Sequence, residues 1–275
     1  MQPVETRFIH ENGHQLSVLT YECSQPIEDD GFFMHMVQLA RDVYGEYLVS
    51  EIPDIEPSVA QSFDLSAITR AVRDSIPNPD DEETKPANLR NYRSEAAELV
   101  ARKALGDSYG FLFPAAAQVV KGNASQPILG FDGWGMIELE NDSWAFVVIQ
   151  VKGSDEDKSP PGVVDELIVE CKKAPVETDK LSRALVSILS LVNDEQIKSI
   201  IYRMLERLGQ NKPLKLIVAP VVVRGKIQSA FSDIQCFAGE IEATEQSYLQ
   251  AASASIGVEL NTFGKALFEK ARSDD

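Results

Sequence analysis

Apolar and polar residues repeat along the chain with two different periods, and the changes of period outline the expected elements. Apolar and polar residues alternate over residues 15–23, which predicts an early strand because alternate strand side chains face opposite sides. Between residues 32 and 47 the apolar residues recur at helical spacing, which predicts a helix whose methionine and aromatic side chains belong to the core.

The middle and end of the chain continue this sequence of elements. We predict a helix over residues 93–105 that ends at Gly106, a strand over 111–120, and two further strands of a meander between 128 and 150. Helices are expected over 163–173 and 179–208, the second broken near Asn193 and Asp194. A continuous apolar run at 214–223 is typical of a strand covered on both faces, and an amphipathic pattern predicts a helix over 240–272.

This order of elements predicts an α/β fold with a mixed central sheet flanked by helices. Residues 76–86 are rich in proline and acidic side chains, which is typical of a linker or an exposed loop. They divide the chain into an N-terminal α+β extension, 1–86, and an α/β domain, 87–275. A second loop, 153–162, contains three acidic residues that are expected to be solvated: Asp155, Glu156 and Asp157.

Composition narrows the possible classes of protein. With 275 residues, 44% hydrophobic and 25% charged, the chain has the composition of a globular protein of one or two domains. No apolar run is long enough to span a membrane, and no secretory signal is visible at the N-terminus. Three separated cysteines and three histidines favour neither a zinc site nor a histidine triad, so we expect a cytoplasmic protein with reduced thiols.

The candidate chemistry lies between residues 129 and 152. Asp132 is in a glycine-flanked turn, and the later strand ends in Gln150-Val151-Lys152. Gln150 and Lys152 share one face of that strand, and we expect Asp132 on the adjacent strand. Oxygen ligands next to a lysine suit a Mg²⁺-dependent phosphodiesterase, since the cation prefers oxygen and the lysine offsets negative charge. The simpler interpretation is a strand that ends in polar residues, with Lys152 on a solvated rim.

These residues resemble the core motif of the PD-(D/E)XK nuclease superfamily, in the variant where glutamine replaces the middle acid. The chain is similar in particular to the HamA family, the nuclease subunits of Hachiman anti-phage systems. The matching segments are Arg93-Ser94-Glu95 at a helix start, Gly130-Phe131-Asp132 in the turn, and Gln150-Val151-Lys152. The resemblance implies a restriction-endonuclease-like core and a cytoplasmic DNA endonuclease that uses Mg²⁺ or Mn²⁺ and is controlled by a helicase-type partner.

The resemblance also implies a role for each residue. Asp132 would be the principal metal ligand, Glu95 would help to hold the metal or its water, and Gln150 would complete the coordination. Lys152 would orient the nucleophile and offset the charge of the transition state. Position 150 is usually glutamate in that family, whereas a glutamine adds an oxygen but no charge. Glu98 is the alternative to Glu95, or it faces solvent or pairs with Arg102.

The net charge of −17 opposes DNA binding by the isolated chain, because phosphates repel an acidic surface. A basic partner could present the DNA, or a local basic patch could suffice. The candidate residues for such a patch are Lys172, Lys173, Arg183, Arg203 and Arg207. The alternative function is a non-catalytic, nuclease-like binding subunit of a larger complex. A metabolic enzyme is a third possibility, but no cofactor motif favours it.

Overall fold

A six-stranded mixed sheet forms the centre of the computed structural model of the protein. The structure describes residues 3–24, 26–46, 49, 64–86, 89–113, 131–139, 143–173, 178–189, 192, 194–242 and 247–273. The strands are β1 (Val4–Ile9), β2 (Gln15–Thr20), β3 (Gly133–Leu139), β4 (Ser143–Ser154), β5 (Lys215–Arg224) and β6 (Ser247–Ser255).

The spatial order of the strands is β1–β2–β6–β5–β4–β3. The four inner strands are mutually parallel, while β1 and β3 run antiparallel to their neighbours. Beyond β3, Leu112 forms an isolated antiparallel bridge with Met136. The predicted α/β fold with a mixed central sheet is therefore confirmed.

Helices cover both faces of this sheet. They are α1 (Gly31–Val43), α2 (Leu65–Asp74), α3 (Asn91–Tyr109), α4 (Val163–Lys173), α5 (Thr178–Leu189), α6 (Glu195–Gly209), α7 (Phe237–Glu240) and α8 (Leu260–Arg272). The core on one face contains residues of α1, α3 and α8, and the cores on the other face contain residues of α4 to α7. In the parts of the chain that the structure describes, no helix is both long and apolar enough to cross a membrane.

The alternation of side chains along β4 shows how the two faces form. Val147 and Ile149 pack into the core with α3, whereas Phe146 and Val148 pack against α5 and α6. The next strand, β5, is buried on both faces, as its continuous apolar sequence predicted. Burial on both faces fixes the register of β4, and with it the direction of every polar side chain near the end of that strand.

Helix α3 is longer than predicted. It continues through Gly106 and ends only at Gly110, whose φ of 71° lies in the left-handed region. The prediction of an end at Gly106 was wrong, because a glycine stops a helix only when its backbone takes that left-handed conformation. The helix over 163–173 is confirmed, and the second predicted helix is broken as expected, since α5 ends at Leu189 and α6 begins at Glu195.

The predicted helix over 240–272 was wrong for its first half. Residues Ser247–Ser255 form β6, the strand between β2 and β5, and only Leu260–Arg272 is helical. The sequence of β6 is rich in alanine and serine, which are poor strand formers when judged alone. These small side chains are buried between the layers of helices, so tertiary packing overrides the local preference.

The acidic, proline-rich segment 76–86 is packed rather than free. It forms a short 3₁₀ helix, Pro79–Glu82, and the side chains of Ile76, Pro79 and Glu82 are buried. Glu83 pairs with Lys265 of α8 at 2.6 Å. Strands from both sides of this segment belong to one sheet, so the predicted division at residue 86 does not divide the sheet. Most of the predicted strand 111–120, and Gly130 of the predicted turn, lie outside the described residues.

Candidate functional site

Asp132 is fixed at the start of β3 by its own backbone and side chain. Its N–H donates to the carbonyl oxygen of Ile149 at 3.1 Å, and its Oδ2 accepts a hydrogen bond from the N–H of Val151 at 2.7 Å. Both contacts are to β4, which pairs antiparallel with β3. Asp132 directly precedes β3, and Lys152 belongs to the adjacent strand β4. The Asp132 carboxylate is therefore bound to the backbone of the residue that precedes Lys152.

The surroundings of Asp132 disfavour its charged form. Burial raises the pKa of this carboxyl to about 6, even though the hydrogen bond from Val151 lowers it. The negative charges of Glu98 and Glu170 raise it further, and the positive charge of Lys152 lowers it. A half-buried carboxylate among other carboxylates is stabilised by any cation that approaches it.

Lys152 lies near the end of β4, with its ammonium held by helix α4. The Nζ atom donates to Glu170 Oε1 at 2.8 Å and lies 3.8 Å from Glu166 Oε2. Burial lowers the pKa of Lys152, but the hydrogen bond and the charges of Glu170, Asp132 and Glu166 raise it by more, so the net shift is upward. No ion pair within 4.0 Å joins Lys152 to Asp132.

A cleft of about 720 Å³ brings these groups together. Asp132 and Lys152 line it from the sheet, Glu98 lines it from α3, and Glu166 lines it from α4. Burial lowers the pKa of Arg102, which lies one helical turn further along α3, and the negative charge of Glu98 offsets part of this lowering. The cleft is therefore an acidic pocket with one lysine at its wall, formed where two helices from opposite faces meet the ends of two strands.

Glu95 does not line this cleft. Its side chain is only 2% exposed, and it accepts a hydrogen bond from the hydroxyl of Tyr44, the residue that follows α1. Glu98 lies one turn further along α3 and does line the cleft. Of the two acids that the sequence left open, the structure brings Glu98 and not Glu95 together with Asp132.

Gln150 is 4% exposed and is not part of the cleft wall either. It lies on the same face of β4 as Lys152, as predicted, and its register partner on β5 is Pro220. Lys152 is two residues nearer to the strand end, and its side chain is 25% exposed. Of the two polar residues of the motif, Gln150 is therefore buried, whereas Lys152 lines the cleft.

The loop that follows Lys152 is anchored at several points. Arg93 of α3 donates to the carbonyl oxygen of Gly153 at 3.2 Å and lies 3.5 Å from Asp155. Asp155 Oδ1 accepts a hydrogen bond from the N–H of Leu260 at 3.1 Å, at the first residue of α8. The buried guanidinium of Arg224 donates to the carbonyl oxygens of Glu156 and Lys158. Asp155 thus has a structural role, and the loop forms a fixed rim of the cleft.

The acids of α4 were not among the predicted site residues. Glu166 and Glu170 are four residues apart on a helix that begins eleven residues after Lys152. An i, i+4 pair of acids on the first helix after the motif was the signal that could have identified them.

Two observations limit the affinity of this region for a metal ion and for DNA. Within the described residues, no group of three or more histidine, cysteine, aspartate or glutamate side chains has the geometry to hold a metal ion. Two of the candidate cations for a basic patch are already engaged: Lys172 pairs with Glu240 at 2.5 Å, and Arg207 donates to the carbonyl oxygen of Pro213. Any metal here would have to rely on few protein ligands.

No protein-family model matches the chain, and no curated protein matches its sequence. The function of the protein must therefore be inferred from the residues of the cleft.

Proposed function

We propose that the chain is a metal-dependent DNA endonuclease of the PD-(D/E)XK type. By its resemblance to the HamA family, it would act in anti-phage defence under the control of a helicase-type partner. The observation that supports this most is the carboxylate of Asp132, hydrogen-bonded to the backbone of Val151 and adjacent to Lys152 in an open acidic cleft. An anionic ligand and a cation at neighbouring strand ends are what phosphodiester hydrolysis needs.

The order of the elements around the cleft also favours this proposal. Helix α3, the chain at Leu112, strands β3 and β4 and helix α4 follow one another in sequence, and strand β5 comes after helices α5 and α6. β3 is antiparallel to β4 and β5 is parallel to it, so this part of the sheet is mixed, as expected for the nuclease-like core. The cleft lies at the ends of β3 and β4, which carry the motif.

The donor set fits Mg²⁺ or Mn²⁺ bound by few protein ligands. Magnesium keeps several of its waters and is commonly held by one or two carboxylates together with substrate phosphates. Asp132 and Glu98 are two such carboxylates in one cleft, and burial, together with the charges of Glu98 and Glu170, raises the pKa of Asp132. Gln150 and Glu95 are buried away from the cleft wall, so Glu98 takes the helix position in this proposal.

Each residue that lines or borders the cleft would then have a distinct role in the reaction. Asp132 and Glu98 would hold the cation, which would supply a Lewis acid and an activated water. Lys152 donates from its ammonium to the attacking water or to a phosphate oxygen, and it offsets the charge that grows on the phosphate. Arg93 and Arg224 fix the loop that borders the cleft, which keeps the substrate phosphate in a constant position relative to both groups.

Asp132→Ala tests the proposal most simply. Cleavage of duplex DNA in Mg²⁺ should fall to background, because the carboxylate fixed on β4 is lost. Asp157→Asn changes an exposed acid of the loop 153–162 that does not line the cleft; it is the control and should cleave at the rate of the unaltered chain. Cleavage that survives Asp132→Ala would remove Asp132 from the reaction and end this assignment.

A second candidate function is a nuclease-like subunit that binds a partner without cutting DNA. Two observations favour it: the neutral Gln150 is buried, and Lys152 is engaged by the acids of α4. Calorimetric titration with Mn²⁺ separates the two functions. An active site should bind Mn²⁺ with an affinity that Asp132→Ala removes, whereas a purely structural cleft should show no heat that depends on Asp132.

A further inference from the structure

Helix α4 places two carboxylates beside the lysine on which the proposed reaction depends. Glu170 accepts a hydrogen bond from Lys152 Nζ at 2.8 Å, and Glu166 lies 3.8 Å from the same atom. We infer that Glu170 is a positioning residue, which holds the ammonium of Lys152 at the wall of the cleft. This inference rests on the proposed nuclease function and adds a residue that the sequence motif does not contain.

The position of Glu170 is fixed by the packing of its helix. Leu167 and Cys171 of α4 are fully buried against the sheet, in the core that also contains Val218 and Val222 of β5. Glu166 and Glu170 each precede one of these buried residues by one position, so both lie at the margin of the buried face. Residues four apart are neighbours on a helix surface, which is why both carboxylates reach one ammonium.

The two acids are not equivalent. The side chain of Glu170 is 36% exposed, whereas that of Glu166 is 72% exposed and one ångström further from Nζ. An exposed ion pair is weakened by solvent and by side-chain entropy, so Glu170 should dominate the pairing. Glu170 lies near the C-terminal end of α4, close in sequence to Lys172 and Lys173. This end of the helix dipole is negative and favours cations, so the dipole does not explain an acid at this position.

Lys152 needs such a partner because its own strand does not supply one. The Lys152 side chain has four rotatable bonds and is 25% exposed near the end of β4. At position 150, the motif residue on the same face is a neutral amide rather than a carboxylate. A carboxylate on the helix that covers this face restricts the lysine and compensates for the charge that Gln150 lacks.

Substitutions at Glu170 separate positioning by charge from a purely structural role. Glu170→Gln keeps the size of the side chain and removes its charge, while Glu170→Asp keeps the charge and shortens the side chain. We expect Glu170→Gln to lower the single-turnover rate of DNA cleavage in saturating Mg²⁺ by roughly 10- to 100-fold. Glu170→Asp should retain more activity than Glu170→Gln. Packing alone would give the opposite order, since glutamine fills the same space.

Two controls accompany these rates. Asp165→Asn removes one charge from an exposed site on the same helix, without an ion pair to Lys152, and should leave the rate unchanged. The urea midpoints of Glu170→Gln, Lys152→Met and the double variant should be non-additive, because the two side chains form one pair. The corresponding cycle of Asp165→Asn with Lys152→Met should be additive.

The outcomes distinguish this inference from the proposed function. If the unaltered chain cleaves DNA and Glu170→Gln cleaves as fast or faster, or exceeds Glu170→Asp, Glu170 does not position Lys152, and the nuclease assignment is unaffected. Additive urea midpoints would also overturn the inference. If the unaltered chain does not cleave DNA with either Mg²⁺ or Mn²⁺, the proposed function fails, and the role of Glu170 fails with it.

Discussion

At the scale of single residues, the fold disfavours the charged form of the Asp132 carboxyl. It is removed from water and lies near the charges of Glu98 and Glu170, so its pKa rises to about 6 from the ordinary 3.8. In the folded chain the proton is therefore held more tightly than in the unfolded chain. Stability must then fall as the pH rises from about 4 through about 6, because the folded state binds the extra proton there.

Asp132→Asn should consequently stabilise the protein at pH 8 in the absence of metal. The amide oxygen can still accept the hydrogen bond from Val151, while the charge that is costly to bury is gone. A shift from 3.8 to about 6 corresponds to a gain of at most roughly 3 kcal/mol in the free energy of unfolding. Urea denaturation at pH 8 and pH 4 measures it. The gain should vanish at pH 4, and a gain of equal size at both pH values would contradict the electrostatic cause.

The sequence predicted part of this site and missed the rest for geometric reasons. A strand has a period of two, so the shared face of Gln150 and Lys152 followed from counting residues. The depth of each residue did not, because it depends on the tertiary packing around the strand, in which Gln150 is buried and Lys152 is partly exposed. The choice between Glu95 and Glu98 depends on how α3 is rotated, which is set by packing of distant residues such as Tyr44.

At the scale of elements, the contact between α3 and α8 determines where Glu98 lies. Gly264 of α8 allows the two helices to approach closely: a Cβ atom at this position would be 2.8 Å from the carbonyl oxygen of Tyr92 in α3. That carbonyl belongs to the backbone of the first turn of α3 and cannot move without the helix. The glycine is therefore needed for close packing rather than for an unusual backbone angle.

Gly264→Ala should destabilise the protein, although alanine is the better helix former by up to about 1 kcal/mol. The clash with Tyr92 should reduce the free energy of unfolding by about 1–3 kcal/mol, the usual range for overpacking. Gly209→Ala is the matched control: it is the last residue of α6, and its Cβ would meet nothing within 4 Å. A stabilised Gly264→Ala variant would show that α3 and α8 can separate freely.

Strand β6 shows where prediction of elements from sequence fails. Its alanines and serines gave an amphipathic pattern that continued into the true helix α8, so one long helix was the natural expectation. In the fold the same small side chains lie between β2 and β5 and are buried under helices. The strongly apolar β5 needed no such context, since β-branched residues in a continuous run favour a buried strand.

At the scale of the whole molecule, charge governs what the chain can do alone. The net charge is −17, and several cations near the surface are paired with acids, including Lys172 with Glu240 and Lys265 with Glu83. Each paired cation contributes less to the attraction of phosphate groups. The proposed nuclease therefore needs another source of DNA affinity, which agrees with the helicase-type partner that the HamA resemblance implies.

We expect the isolated chain to bind duplex DNA weakly at physiological salt. Weak binding follows from repulsion between an acidic surface and the phosphates. Fluorescence anisotropy with a labelled duplex, measured over a range of salt concentrations, tests this. Tight binding that weakens steeply as salt rises would reveal a strong basic face and contradict the expectation.

Lys152→Met tests whether the cleft of Asp132 and Lys152 cuts DNA. Cleavage of supercoiled plasmid should be measured with Mg²⁺ or Mn²⁺ at a protein concentration high enough to offset weak DNA binding. Lys172→Met is the control, because it removes the same charge from the exposed ion pair between Lys172 of α4 and Glu240 of α7. We expect the unaltered chain and Lys172→Met to cleave equally, and Lys152→Met to lose roughly 100-fold or more in rate. Equal cleavage by Lys152→Met, or none by the unaltered chain, would contradict the account.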